Sequence, residues 1–298
     1  MANIEHLAKL KQGASSWIDW LDRSSLSAID LIDADLQDLD LSAVYLVKAN
    51  LSHANLTDAV LVRANLTGAN LTAARLNDSN LQQTNLTGAN LQSAYLIDAD
   101  LKQANLIGSD LRLVRGKAAN FHLCNLIGTS LHQAQLRQAN FTEAELSRAN
   151  LSETALTQAS FDRADLSGAN FFEADLQSAS FYDANLYRVS AISAHLSHSY
   201  FLASNLLEAN LMRCDLRWAN LSYANLQSAN LLEAKLRGTN LTKANLTGVN
   251  LTKASLRGAN LKGANLCRAN LRGADIEDTI FDKANLTGVI MPDGTVHY

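Results

Sequence analysis

From Leu31 to Leu286 every fifth residue is Leu or Phe, and the phase never slips. The few substitutes are Gly116, Ala191 and Ile276. Two residues before each of these positions stands a small residue, usually Ala, as at Ala49, Ala54, Ala59 and Ala64. Asn or Asp most often lies between them, so the consensus is Ala-Asn/Asp-Leu-x-x. Leucines spaced by five residues spiral around an α-helix and make no stripe. The alternation Ala-x-Leu instead fits a very short strand whose first and third side chains point inward. The two remaining residues then make a corner, and Gly68, Gly88, Gly168, Gly248 and Gly288 fill the second corner position.

Four such corners would close a square coil of twenty residues, and the phenylalanines test that independently. Phe121, Phe141, Phe161, Phe181 and Phe201 are spaced by twenty, and Phe281 keeps the same register. A coil of three or five repeats would scatter them over different faces. The spacing predicts one stacked internal column, with offset aromatic contact beyond simple area burial. Phe171 and Ala191 are also twenty apart, so a large residue neighbours a small one.

This unbroken register resembles the pentapeptide-repeat family. The resemblance implies an all-β solenoid, a right-handed quadrilateral β-helix with the Leu/Phe and small residues in the core. Near the N-terminus, Ile4, Leu7, Leu10, Ala14, Trp17, Ile18 and Leu21 follow helical spacing. Gly13 is expected to divide two short helices, and Ser16 to cap the second with Asp19 three residues on. Residues 6–20 are similar to the N-terminal cap of cyanobacterial members of that family. Such a lid covers a coil edge that would otherwise stay open. Pro292 has no N–H to donate and Asp293-Gly294 is a turn signal, so the array should stop there. The expected organisation is a cap over 1–25, the repeat array over 26–291 and a tail over 292–298.

Function classes narrow on what the chain lacks. Net charge is −4, which makes no global case for nucleic-acid binding. No uncharged apolar run is long enough to span a bilayer, and the first residues lack the apolar core of a signal peptide, so a cytoplasmic location is expected. The three cysteines, Cys124, Cys214 and Cys267, have no disulfide or zinc spacing. His195 and His198 flank the inward Leu196 without an evident third ligand. No phosphate loop, nucleophile elbow or dinucleotide fingerprint is present. An interior of Leu, Phe and Ala leaves no pocket for converging polar groups. The chain therefore reads as a non-enzymatic protein, with no cofactor and no metal site expected.

Function must then lie on the outer faces. Asp30, Asp33, Asp35, Asp38 and Asp40 crowd the first coils, whereas Arg213, Lys235, Lys243, Lys253, Lys262, Arg268 and Arg272 crowd the last. Arg217, Arg237 and Arg257 should stack along one edge, where like charges repel unless an anion or acidic partner intervenes. Phe172, Ile192, Met212 and Leu232 occupy the position just after the core residue, where polar residues usually stand. Tyr187 and Leu207 lie on the neighbouring face. These nine residues are the expected centre and rim of a partner-binding face, or of a homodimer contact. The leading reading is a protein–protein interaction scaffold or regulator. The resemblance also brings in relatives that copy duplex DNA and occupy the DNA site of type II topoisomerases. That alternative asks for acidic faces where the last third is basic. A structural rod without a specific partner is the remaining alternative. Gly116 in a core slot between Leu96 and Leu136 predicts a bulge near 113–118 that lets another side chain refill the gap.

Overall fold

A computed structural model describes residues 2–23 and 28–298. Two helices open the chain, α1 (Ile4–Leu10) and α2 (Ala14–Arg23), and a short antiparallel hairpin of β1 (Val289–Ile290) and β2 (Val296–His297) closes it. Between them runs a β-solenoid, compacted into two units, Met1–Ala149 and Asn150–Tyr298. Within each unit the Asn/Asp position of every repeat bridges in parallel to the residue twenty further on, as in Asn50↔Asn70 and Asn205↔Asn225.

One repeat shows why the chain folds this way, because all five of its backbone N–H groups find acceptors. In residues 69–73, Ala69 N–H donates to Leu66 C=O (2.9 Å) and closes the preceding turn. Asn70 N–H reaches back one coil to Ala49 C=O (2.9 Å), while Leu71 N–H reaches forward to Asn90 C=O (2.6 Å). Ala73 N–H donates to Gln92 C=O (2.9 Å) in the next coil. The remaining N–H, that of Thr72, has no backbone acceptor and donates to the Asn70 Oδ1 (3.1 Å). That last bond explains the Asn/Asp consensus. A short side chain carrying an acceptor two residues before the corner satisfies the one donor the coil leaves over. The Asn70 amide also donates to Asn50 Oδ1 (3.2 Å), so the side chains form a ladder of their own.

Leu/Phe and small residues alternate inward, and nearly all are buried; in the last coil Ile276, Phe281, Ala284 and Leu286 are only half-buried. Phe121 stacks on Phe141 in the first unit, with centroids 4.8 Å apart and planes 3° from parallel. In the second unit Phe161 stacks on Phe181 (5.1 Å) and Phe181 on Phe201 (4.6 Å). Phe171 meets Phe161 edge-on across the interior, at 5.8 Å and 84°. Polar residues in the small slot are all satisfied. Thr84 and Thr129 donate to carbonyls of the previous coil, and Ser79 and Ser109 to their own turn.

Two local expectations fail. The coil passes Gly116 without a bulge: Gly116 N–H donates to Gln135 C=O and Ala118 N–H to Arg137 C=O, both at 2.9 Å, as in any other repeat. The gap is refilled from a neighbour instead. A Cβ on Gly116 would lie 3.0 Å from Leu136 Cδ2. A shift of one side chain disturbs less than breaking a ladder bonded on both edges. The second correction concerns Ser16, which lies inside α2 and does not cap it. Trp17 N–H already bonds Gly13 C=O (3.1 Å), so the helix starts one turn earlier than expected.

Asn3 caps α1, its side chain accepting from Glu5 and His6 N–H. Both helices are tied to the first coils. Asp30 N–H donates to His6 Nδ1 (3.0 Å), Asn3 N–H to Asp30 C=O (3.1 Å) and the Trp17 indole N–H to Tyr45 C=O (2.9 Å). Trp17 is fully buried there. At the other end Met291 N–H bonds Thr295 C=O (2.8 Å), so the chain turns back at Pro292 and Asp293 and β2 pairs with β1.

Candidate protein interface

The second unit carries all nine residues expected at the interface. They occupy three successive corners of the coil. Glu173, Ser193 and Arg213 N–H groups donate to the carbonyls of Ile192, Met212 and Leu232 in the next coil (3.1, 2.9 and 2.9 Å). The corner residues Phe172, Ile192, Met212 and Leu232 are thereby stacked one per coil. Three of their own N–H groups are held as well: Phe172 by Asn170 Oδ1 (3.0 Å), Met212 by Asn210 Oδ1 (3.4 Å) and Leu232 by Asn230 Oδ1 (3.2 Å). Backbone fixed on both sides presents the four side chains at a rigid spacing. Phe172 is 37% exposed and the other three are half-buried, so the column is a narrow apolar strip. At the coil repeat its length is about 14 Å.

Tyr187 and Leu207 stack in the same manner on the preceding corner, where Arg188 N–H donates to Leu207 C=O (3.0 Å). Both are half-buried, and the Arg188 guanidinium lies 4.9 Å from the Tyr187 ring centre. The arginines line the following corner and are exposed. Their mutual repulsion is relieved from within the chain. Arg217 turns onto Asp215, two residues back, with Nε 2.8 Å from Oδ1. Arg257 reaches Glu277 in its own column (3.1 Å). Arg237, between them, makes no ion pair among the described residues. The hydrogen bond from Arg217 holds the Asp215 carboxyl below the usual carboxylate range.

Sequence reasoning passed over a second exposed group. Tyr182, Tyr200, Trp218 and Tyr223 are 42%, 38%, 56% and 55% exposed. The twenty-residue register puts all four on the side between the corner after Leu216 and the corner after Leu221. That register is the signal in the sequence that finds them, although they hold different places in the repeat: Tyr182 follows a core residue, Trp218 and Tyr223 are second corner residues, and Tyr200 takes the Asn/Asp position.

Catalytic or metal chemistry finds little to build on. Among the described residues no three His, Cys, Asp or Glu side chains converge as a metal site requires. Cys124 and Cys214 are buried and donate to the carbonyls of Leu101 (2.8 Å) and Ala191 (2.6 Å). Burial pushes both thiols up to about 12, away from nucleophilic reactivity. A hollow of about 610 Å³ opens between α2 and the first coils, and apart from Asp22 and Lys48 the described side chains that line it are apolar or aromatic, including Ile18, Leu21 and Tyr45.

The repeat that builds these columns matches a family model described as pentapeptide repeats, in eight copies over 34–72, 45–83, 74–112, 179–217, 214–253 and 250–288. A second model, described as a pentapeptide repeat region, matches 114–190. The chain belongs to the pentapeptide-repeat family. HetL, a pentapeptide-repeat protein involved in heterocyst differentiation regulation in the cyanobacterium Nostoc sp. strain PCC 7120, is 37% identical. Their alignment covers 70% of this chain and 91% of HetL, with a TM-score of 0.38. QnrB1, a plasmid-mediated fluoroquinolone resistance protein, is 16% identical over 62% of this chain and 88% of its own, with a TM-score of 0.44. Rfr23 from the cyanobacterium Cyanothece 51142 is 33% identical over 37% of this chain and 58% of its own, with a TM-score of 0.18. No curated protein matches the chain. None of these descriptions is that of an enzyme. In this pentapeptide-repeat chain the consensus positions are consumed by core and ladder, so individuality resides in the two corner residues.

Proposed function

We propose that this chain is a non-enzymatic interaction scaffold or regulator, acting in the cytoplasm, that binds a partner protein along the corner formed by Phe172, Ile192, Met212 and Leu232. The observation that carries the reading is the stacking of four apolar side chains at a position that is otherwise mostly polar. A rigid strip of this kind places its contact atoms without loss of backbone entropy on binding. Tyr187 and Leu207 widen it on one side. Arg237, flanked by the neutralised Arg217 and Arg257, supplies the charge on the other, which suits an acidic rim on the partner. A mimic of duplex DNA would need rows of carboxylates where this unit exposes Arg237, Lys243 and Lys262.

The test introduces charge into the strip. Ile192→Asp combined with Met212→Asp leaves the core and the ladder untouched, so far-UV circular dichroism should be unchanged. The intact chain, used as bait in its source cell extract, should capture a specific protein that the double variant does not. Equal recovery of that protein by the folded variant removes this corner as the site.

A further inference from the structure

The aromatic side of the second unit is separate from the apolar corner, and its layout has a symmetry of its own. Its two middle rows are 198–203 and 218–223, joined by the Tyr200↔Asn220 bridge and by Ala203 N–H donating to Ser222 C=O (3.2 Å). Behind them lie the stacked rings of Phe181 and Phe201, so the surface is firmly backed. Tyr200, Trp218 and Tyr223 are central, and Tyr182 lies one row before them, beside Asp183. The nearest charges on either side differ in sign: Asp183 stands on the row before and Lys243, whose Nζ lies 3.2 Å from the Tyr223 hydroxyl, on the row after, while the outer rows carry Asp162 beside Arg163 and, opposite, Lys262.

We propose that this side is a self-complementary interface on which a second copy of the chain packs antiparallel. A two-fold axis lying in the surface, between the two middle rows, reverses the order of coils and sets each column against itself. Asp183 then meets Lys243 of the second copy, and Asp162, with Arg163 beside it, meets its Lys262. The bulky Trp218 and Tyr223 face the smaller His198 and Ala203, and Tyr200 faces Asn220. The opposite-charge pair of Asp183 with Lys243 and the large-against-small pairs between them arise from one operation. A surface shaped for an unrelated partner has no need of this internal match. A parallel arrangement, with the rows in register, would set Asp183 at the level of another Asp183 and lose it.

Sedimentation velocity of the full chain over a concentration series tests the proposal. The wild-type chain should sediment as a reversible dimer. Asp183→Lys and Lys243→Asp each create two like-charge pairs across the axis, and each should raise the dimer Kd by at least about tenfold. The double variant Asp183→Lys/Lys243→Asp restores both pairs with reversed polarity and should recover the wild-type Kd. Met212→Asp, on the other corner, should leave the Kd unchanged, which separates this interface from the partner-binding strip. Circular dichroism confirms that each variant is folded. A wild-type chain that stays monomeric at millimolar concentration overturns the proposal. So does a folded double variant that associates no better than the singles, or a dimer lost on Met212→Asp.

Discussion

The six-membered ring of Trp218 covers the α-carbon of Gly238, one coil further on, so closely that an added methyl would overlap it. The glycine is doubly required, because its φ of +67° lies in the left-handed region. Gly238→Ala should lower stability by about 1 kcal/mol and push the indole outward. Tryptophan emission should shift to the red relative to wild type, with Trp17 and Trp20 as an unchanged background. An unaltered spectrum would mean that the ring does not rest on the glycine in solution.

The same turn geometry predicts an inverted glycine rule elsewhere. The second corner residue has positive φ in nearly every repeat, whatever its side chain, as at Ala73 (+55°) and Gly88 (+63°). Left-handed backbone disfavours any residue with a Cβ by about 1–2 kcal/mol, partly offset by the greater entropy of glycine in the unfolded chain. Ala73→Gly should therefore stabilise by about 0.5 kcal/mol. Gly88→Ala should destabilise by about 1 kcal/mol although nothing lies within 4 Å of the added carbon. Urea unfolding of the two variants decides it, and equal signs would refute the argument.

Much of this was legible because the five-residue period and its twenty-residue multiple are properties of spacing alone. Spacing placed Phe121 with Phe141 and Phe161 with Phe181 and Phe201, and it placed the apolar corner. Side-chain conformation is another matter. That Arg217 folds onto Asp215 depends on rotamers, and so does the lean of Leu136 into the space at Gly116. The role of Asn70 was hidden for a different reason. Its value appears only when the five N–H groups of the repeat are counted against their acceptors. Trp218 and Tyr223 escaped because they occupy the second corner position, which the consensus treats as a turn and not as a surface.

Thiol chemistry should resolve the three cysteines. Cys124 and Cys214 are enclosed and their thiols are held up to about 12, whereas Cys267 is half-exposed at a corner. At pH 8 the folded chain should react with Ellman's reagent at Cys267 alone, and at all three positions in guanidinium. Cys267→Ser should then abolish the native-state reaction. Rapid labelling of that variant would show that the solenoid opens locally at Cys124 or Cys214.

Acid should act through Asp110 and Asp215, whose carboxyls are held below their ordinary values chiefly by hydrogen bonds from Arg112 and Arg217. For a depressed carboxylate the stabilisation is present above the unfolded-state value, about 3.9, and is lost as pH falls through the lower folded-state value. Asp215→Asn should thus reduce stability slightly at pH 7, and the difference from wild type should vanish in strong acid. High salt should shrink it as well, since Arg217 is half-exposed. A difference that grows on acidification would contradict the assignment.

Ala191 stands where its column otherwise carries Leu or Phe, and the interior around it is incompletely filled. A cavity of about 10 Å³ is lined by Phe171, Phe181, Ala191, Phe201 and neighbouring Leu and Val side chains. That is about the room of one water molecule, but the lining offers it no hydrogen bond, so the space stays dry. Phe171, edge-on to Phe161 and to Phe181 (6.3 Å, 89°), takes up most of the volume that the small residue releases. Ala191→Val adds only what the cavity accepts and should raise stability by about 1 kcal/mol. Ala191→Phe exceeds the space and should destabilise by about 1–3 kcal/mol by displacing Phe171 from its place between the rings. Removing that ring with Phe171→Ala should lose about 3–5 kcal/mol. Thermal unfolding of the three variants gives the order Val above wild type, then Phe, then the Phe171 truncation. If valine proves destabilising instead, the space is filled by a repacking of Phe171, and the large-against-small pairing of Phe171 with Ala191 is already complete.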